Sequence, residues 1–214
     1  MDNEPEIKFE ITDIDNESKN SEESKGYKTA VALFDFVEIF SFAVIAVMLI
    51  FTFCVRLCRV DGSSMNKTLK DGEMLITSNI FYEPEQGDIV VFHVSNEYYQ
   101  QPLVKRVIAT EGQNVKIDLT LGEVYVDGKL LEEVNTHIDN GGIYDRSYFT
   151  AGDLTHDENG HTVFNVTVPE GKLFVMGDNR NHSADSRSAS VGFVNKSSVL
   201  GKAIVRISPF TAFN

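Results

Sequence analysis

Cysteine and clustered positive charge are both scarce in this sequence of 214 residues. The two cysteines, Cys54 and Cys58, lie four positions apart at the end of an apolar run, where helical neighbours lack the geometry of a routine disulfide. They give no information about redox compartment. The formal net charge is -13, and no segment concentrates lysine and arginine. Because nucleic-acid binding needs a basic surface, a nucleic-acid partner is excluded.

Histidine is also sparse, and its spacing does not suit a metal centre. Of the five histidines, only His156 and His161 have the spacing of a ligand pair, and no cysteine pair accompanies them. We expect these two to be solvated loop residues. The sequence therefore predicts no metal site, and we expect no cofactor.

The first 28 residues lack the basic segment and the small-residue cleavage site of an ordinary secretory signal peptide. They are polar and acidic with little apolar periodicity, which is typical of a disordered tail. We therefore predict a disordered tail over 1–28 and retention of the apolar stretch that follows.

That apolar stretch is uncharged from Ile39 to Val55, a helical length of about 26 Å. Extension back to residue 29 makes it long enough for a bilayer core of roughly 30 Å, with Asp35 and Glu38 near one end. We predict one transmembrane helix over 29–56; the alternative is a buried core helix. Basic residues occur on both sides of the span, so charge does not decide its orientation.

After Arg59 the pattern changes to short apolar and β-branched runs separated by turn signals, which is typical of an all-β domain. We predict a β domain of antiparallel sheets over 57–214, with an Asp127–Gly128 hairpin turn and a possible cap insertion over 129–165. The predicted strands are Glu73–Ser78, Asp88–Val94, Leu103–Thr110, Asn114–Leu119, Glu123–Val126, Val166–Val168, Lys172–Met176 and Lys202–Ile207.

A candidate nucleophile, Ser64, stands in Gly-Ser-Ser-Met immediately after the apolar run. A serine hydroxyl needs a base and donors for a developing oxyanion, and the same tetrapeptide is also common in plain turns. Lys105 is the candidate base, because it lies among apolar neighbours where desolvation disfavours the ammonium form. The alternative is a solvated lysine on the exposed face of its strand.

A third stretch, residues 177–187, is densely polar and follows the apolar strand that ends at Met176. Together the stretches Gly62–Leu69, Gly87–Phe92, Lys105–Ile108 and Gly177–Arg187 resemble, in order and spacing, the conserved boxes of bacterial type I signal peptidases of the Gram-positive kind. The resemblance runs from the apolar helix to about Ile207.

The resemblance implies a membrane-bound serine endopeptidase with a signal-peptidase-like β fold, which removes signal peptides from exported preproteins by a Ser-Lys dyad. Ser64 is then the nucleophile and Lys105 the general base, while backbone N–H groups of Ser64 and Gly62 form the oxyanion hole. Ser183 orients the lysine, and Asp185 and Arg187 form a supporting ion pair. The resemblance places the tail in the cytoplasm and the β domain outside a single-pass membrane anchor.

The expected partners are the lipid bilayer and secreted preproteins with small residues before the cleavage site. Met65 is a candidate for lining the substrate cleft. Lys67 departs from the family, which usually has proline there, so the following loop is expected to be less rigid.

Two other interpretations stay open, and a third is excluded. His182, which departs from the usual residue beside Ser183, suggests a triad of Ser64, His182 and Asp185. A non-catalytic, membrane-anchored β module that binds peptides would fit if Lys67 had cost the activity. A self-cleaving Ser-Lys repressor would need a DNA-binding segment in place of the membrane span, and the sequence has none.

Overall fold

The structure is a computed structural model that describes residues 10–94, 97–132, 136, 138, 142–152, 154–207 and 210–213. The chain divides into two compact units, Met1–Thr52 and Phe53–Asn214. The first contains one long helix, and the second contains the β-strands.

Helix α1 extends over Glu10–Cys54. Within it, Tyr27–Leu49 has a mean hydropathy of 2.2 and is not buried against other parts of the chain, so it is long and apolar enough to cross a membrane. This confirms the prediction of one N-terminal apolar helix. The helix also continues through residues 10–28, the described part of the tail. The predicted boundary between tail and transmembrane helix at residue 28 stays a prediction.

Thirteen strands make up the described part of the β unit. The strands are β1 (Arg56–Arg59), β2 (Met74–Ser78), β3 (Ile89–Phe92), β4 (Leu103–Thr110), β5 (Asn114–Asp118), β6 (Glu123–Val126), β7 (Lys129–Leu130), β8 (Leu154–His156), β9 (Thr162–Thr167), β10 (Lys172–Met176), β11 (Val194–Asn195), β12 (Val199–Arg206) and β13 (Thr211–Ala212).

Eight of these strands form the larger sheet, in the order β1-β2-β12-β3-β4-β10-β11, with β13 paired to β12. Every pairing is antiparallel, which confirms the predicted all-β class. Strand β4 lies inside the sheet between β3 and β10, and its residues are mostly buried. The strand that carries Lys105 therefore has neighbours on both edges.

The smaller sheet has five antiparallel strands in the order β7-β6-β5-β9-β8. Its β6–β7 hairpin turns at Asp127 and Gly128, both with positive φ, as predicted. Segment 129–165, the possible cap insertion, contributes β7, β8 and the start of β9 to this sheet. Residues 133–135, 137, 139–141 and 153 of that segment lie outside the described residues.

Three buried apolar clusters hold these elements. One joins the two sheets, and it contains Ile108 of β4, Ile117 of β5 and Phe164 of β9. A second packs beneath the turn that carries Ser64, through Met65 and Leu69 of that turn. The third packs β3, β4 and β10 together. The two sequence segments that contain Ser64 and Lys105 are therefore both anchored by packed core side chains.

Candidate active site

The hydroxyl of Ser64 and the amine of Lys105 are in direct contact. Lys105 Nζ lies 2.7 Å from Ser64 Oγ and donates a second hydrogen bond to the carbonyl oxygen of Val104 at 3.0 Å. Ser64 is half-buried, and its turn is closed by a hydrogen bond from the Leu69 amide to the Met65 carbonyl oxygen. The structure thus brings together the two residues that the sequence analysis proposes as nucleophile and base.

Lys105 is only 3% exposed. Burial lowers its pKa to about 8, although the carboxylates of Asp185 and Asp178 act in the opposite direction. Lys105 is therefore not the solvated lysine on an exposed strand face that the alternative interpretation required. A substantial fraction of the amine is therefore neutral in mildly alkaline solution, as a base for Ser64 requires.

The 177–187 loop is held by a buried ion pair. Arg187 donates from Nε to Asp185 Oδ1 and from Nη2 to Oδ2, both at 2.8 Å, and neither side chain is exposed. Burial alone would raise the pKa of Asp185, but the Arg187 guanidinium and a hydrogen bond from the Gly177 amide hold it below its usual value. Asp185 and Arg187 therefore have the geometry of the expected supporting pair.

Asn179 connects this loop to the nucleophile's turn, and the sequence analysis gives it no role. Its backbone amide donates to the Ser64 carbonyl oxygen at 3.0 Å, and its side-chain Nδ2 donates to the Ser63 carbonyl oxygen at 3.1 Å. Gly177 permits this approach, because a Cβ there would collide with the Ser64 carbonyl oxygen and with Ser183. Contacts between residues more than one hundred positions apart leave no local signal in the sequence.

Arg106, Asp178 and Thr68 form a second connection. Arg106 donates to both carboxylate oxygens of buried Asp178, at 2.8 and 2.7 Å, and Thr68 donates to the same carboxylate. The sequence analysis includes these residues in its motifs without roles. The sequence shows that Arg106 and Asp178 carry opposite charges. It does not show that they form an ion pair, because the fold brings them together.

Ser183 is 1% exposed, and its side chain lies close enough to the Asp185 carboxylate to help lower the pKa of that group. It lies against Gly177, close to where the Ser64 carbonyl oxygen also packs. Its role in orienting Lys105 stays a prediction.

The predicted oxyanion donors differ in availability. Gly62 has φ +86° and donates its amide to Asp71 Oδ1 at 2.9 Å, so this N–H is engaged away from Ser64. Among the described residues, the Ser64 amide has no acceptor. The Ser64 N–H is therefore the better-placed donor, and the contribution of Gly62 stays a prediction that requires its bond to Asp71 to open.

Met65 lies beneath the site. Its side chain is 1% exposed and packs with Val60, Leu69 and Leu75 in the cluster under the turn. In the free protein Met65 is a core residue, because the turn packs its side chain onto this cluster. Direct contact with substrate stays a prediction that requires the turn to move.

The two histidines with ligand-like spacing have different environments. His156 is exposed but lies in strand β8, and half-buried His161 has Nδ1 2.8 Å from Asp118 Oδ2, so neither is the solvated loop residue that we expected. Asp157 completes a group that could hold a metal ion. However, Asp118 and Asp157 accept backbone amides, and Lys116 lies 3.6 Å from Asp157. These oxygens already have protein partners, and we propose no metal site.

His182 lies in a 3-10 turn, Arg180–His182, and its side chain is exposed. The Asp185 carboxylate, the orienting group in the alternative triad, is bound instead by Arg187 and the Gly177 amide. The geometry thus favours Lys105 over His182 as the partner of Ser64.

A serine hydroxyl in contact with a buried lysine on a β scaffold is typical of serine hydrolases that use lysine in place of histidine. The family model described as signal peptidase, peptidase S26, matches residues 33–208. Signal peptidase IB of Staphylococcus aureus (strain Mu50) is 35% identical over 178 residues, which cover 80% of this chain and 87% of that protein. A probable signal peptidase I-2 of Synechocystis sp. is 33% identical over 174 residues, covering 78% and 69%.

A crystal structure of a signal peptidase I from Enterococcus faecalis V583 is 30% identical and covers 56% of this chain and 97% of that chain, with a TM-score of 0.38. On the family match and the relatives' identity, the chain belongs to the signal peptidase, peptidase S26, family. It is a serine peptidase, and its apolar N-terminal helix is consistent with membrane anchoring.

Proposed function

We propose that Ser64 and Lys105 are the catalytic dyad with which this signal peptidase removes signal peptides from exported preproteins. The observation that carries the proposal is the 2.7 Å contact between Ser64 Oγ and the amine of Lys105, which is 3% exposed. The non-catalytic module is not favoured, because the contact is present although Lys67 replaces the usual proline, and the curated relatives are peptidases.

In the proposed first step, neutral Lys105 accepts the proton of the Ser64 hydroxyl as Oγ attacks the carbonyl carbon of the scissile bond. The negative charge on the carbonyl oxygen is stabilised by the Ser64 amide. The Lys105 ammonium then gives its proton to the leaving amine. This breaks the peptide bond and leaves the signal peptide as an ester on Ser64.

In the second step, Lys105 accepts a proton from a water molecule that attacks the ester carbonyl carbon. Collapse of this intermediate breaks the bond to Ser64 Oγ, and the proton on Lys105 returns to that oxygen. The products are the mature protein with a new amino terminus and the signal peptide with a new carboxyl terminus. The Arg187–Asp185 pair keeps the loop behind Ser64 fixed through both steps.

The apolar helix provides the membrane anchor. The orientation of the chain across the membrane is part of the proposal. We place residues before Tyr27 in the cytoplasm, the β unit outside, and Tyr27–Leu49 in the bilayer as a single span. Substrates are then preproteins that carry small residues before the cleavage site. Protease added outside intact cells should degrade the β unit and spare the tail, and protection of the β unit would reject this topology.

The experiment that tests the function compares Ser64→Ala with Ser63→Ala for cleavage of a preprotein in detergent. Ser64→Ala should abolish cleavage and leave the thermal transition almost unchanged, because the side chain is half-buried and the change removes one oxygen. Ser63→Ala, the adjacent serine, should keep cleavage. Retained activity in Ser64→Ala with loss in Ser63→Ala would move the nucleophile to Ser63.

A further inference from the structure

A cavity of about 500 Å³ opens beside the turn that carries Ser64. Its wall contains four basic side chains and one acidic one, in a chain whose net charge is -13. Cavities of roughly 300–1,000 Å³ are typical of ligand sites. The charged residues of the wall are Lys67, Arg106, Lys202, Arg206 and Asp88.

Three of the basic side chains are paired with carboxylates, and in each pair the cation is the more exposed partner. The exposed fraction of the side chain is 15–27% for the cations and 0–9% for the acids. Asp178 and Glu73 do not line the wall, so Asp88 is its one acidic side chain and the cavity surface is mainly cationic. The pairs are Arg106–Asp178, Lys202–Asp88 and Arg206–Glu73.

Lys67 is the fourth cation, and its position differs from the others. Its side chain is exposed, and it makes no hydrogen bond or ion pair within the described part of the chain. Among the described residues, the three carboxylates pair with three of the four cations, which leaves the charge of Lys67 without an ion-pair partner. Lys67 carries that charge at the position where type I signal peptidases usually have proline.

The cavity is within reach of a polypeptide bound at the dyad. Lys67 follows Ser64 by three residues, so their Cα atoms are at most about 11 Å apart, whereas the Arg106 side chain projects from the face of β4 opposite to that of Lys105. An extended substrate advances roughly 3.3–3.6 Å per residue. The distance therefore permits a substrate side chain about three or four residues from the scissile bond to meet Lys67 at the cavity.

We infer that this cavity is a subsite for an aspartate or glutamate side chain of the polypeptide substrate, with Lys67 as the residue that recognises it. A carboxylate is the substrate group that matches an unpaired ammonium among cationic neighbours, because it accepts charge-assisted hydrogen bonds. The inference rests on the proposed function, since the ligand is part of the substrate. Proline at this position would offer neither charge nor donor.

The test uses the full chain in nonionic detergent and quenched fluorescent peptides with small residues before the scissile bond. Paired peptides differ only in Glu or Gln at one position, scanned over both sides of the bond. At one position or two neighbouring ones, kcat/KM should be about 2–5-fold higher for Glu than for Gln at low ionic strength, the size expected of a partly exposed ion pair. In 1 M salt the Debye length falls to about 3 Å, and the ratio should approach one.

Three variants test whether Lys67 causes the preference for Glu over Gln. Lys67→Gln should remove the Glu-to-Gln ratio, and Lys67→Glu should reverse it. Lys70→Gln is the matched control, because Lys70 is an exposed lysine near the same turn but outside the cavity wall, and it should keep the ratio. Equal rates at every position, or a ratio that survives Lys67→Gln, would overturn the inference.

Failure of the proposed function has a different signature, since the wild type would then cleave none of the peptides. In that case the binding of the labelled Glu and Gln peptides, measured by fluorescence anisotropy, still tests whether the cavity is a subsite for a carboxylate. Tighter binding of a Glu peptide that Lys67→Gln abolishes would support the subsite. Equal binding of both peptides would reject the subsite together with the function.

Discussion

Lys105 and His182 are the two side chains that the sequence offers as a base for Ser64, and they lie in opposite environments. Lys105 is on an interior strand, is 3% exposed and contacts Ser64 Oγ at 2.7 Å. His182 is the exposed residue of a 3-10 turn whose other two residues are buried, and the carboxylate that would orient it is bound by Arg187. The comparison teaches that burial in a sheet can make a lysine the better base, although histidine is the more common base in proteins.

The largest effect is expected for Lys105→Ala, which removes the favoured member of the comparison. Cleavage of a preprotein should fall by at least about 10³-fold in kcat/KM, because no other described side chain contacts Ser64 Oγ. Lys105→Met is the control that keeps most of the packing, and it should be equally inactive while its Tm at neutral pH stays at or above that of the wild type. Activity within tenfold of the wild type in folded Lys105→Ala would contradict the dyad.

A second change sharpens the comparison by displacing the nucleophile while both candidate bases are retained in the sequence. In Gly177→Ala the new methyl group meets the Ser64 carbonyl oxygen and the Ser183 side chain, so the turn or the loop must shift. A displacement of about 1 Å at a reacting group costs roughly 10²-fold in rate, and we expect a loss of that order in kcat.

Gly192→Ala is the matched control for Gly177→Ala. Gly192 has φ +59° and open space around its Cβ position, so alanine there strains the backbone without a collision. It should lower the Tm and keep the activity. Equal activity in both alanine variants would show that the close packing at Gly177 does not position Ser64.

Much of the fold was predictable from the sequence, because strand boundaries follow local alternation and turn residues. Strand β4 was predicted at its observed bounds, and the Asp127–Gly128 hairpin follows from residues that favour positive φ. Strand β8 was missed, and β9 was predicted to begin at Val166, whereas it begins at Thr162. Polar and apolar residues alternate only weakly in β9, so its start is determined by pairing with β5.

The candidate site was predictable only in part. The local context of Ser64 and Lys105 made them candidates, the resemblance added their roles, and the burial of Lys105 agrees with its apolar neighbours. The contacts of Asn179 with Ser63 and Ser64 were not predictable, since they join positions over one hundred residues apart. The inward direction of Met65 was equally hidden, because it depends on how the turn packs on the core.

The pH dependence of activity separates the two bases by an intermediate effect. A lysine must lose its proton to act as base, so kcat/KM should rise with pH through the lowered pKa of about 8. About a tenth of the amine is neutral at pH 7 and about nine tenths at pH 9, which predicts a rise of about tenfold. Initial rates between pH 6 and 10 measure it, with circular dichroism at each pH as the control for folding. A plateau already reached at pH 7 would contradict Lys105 as the base.

The smallest effect is expected for His182→Ala, the variant that removes the rejected base. Cleavage should stay within about twofold of the wild type, because the exposed imidazole lies on the outer side of a loop whose buried contacts are made by Asp185 and Arg187. The measurement is kcat/KM at pH 7 and pH 9 beside Lys105→Ala, with Tm for each variant. A loss above about 10²-fold in folded His182→Ala would restore the triad. Retention of activity at both pH values leaves the Lys105 amine as the group whose titration controls the reaction.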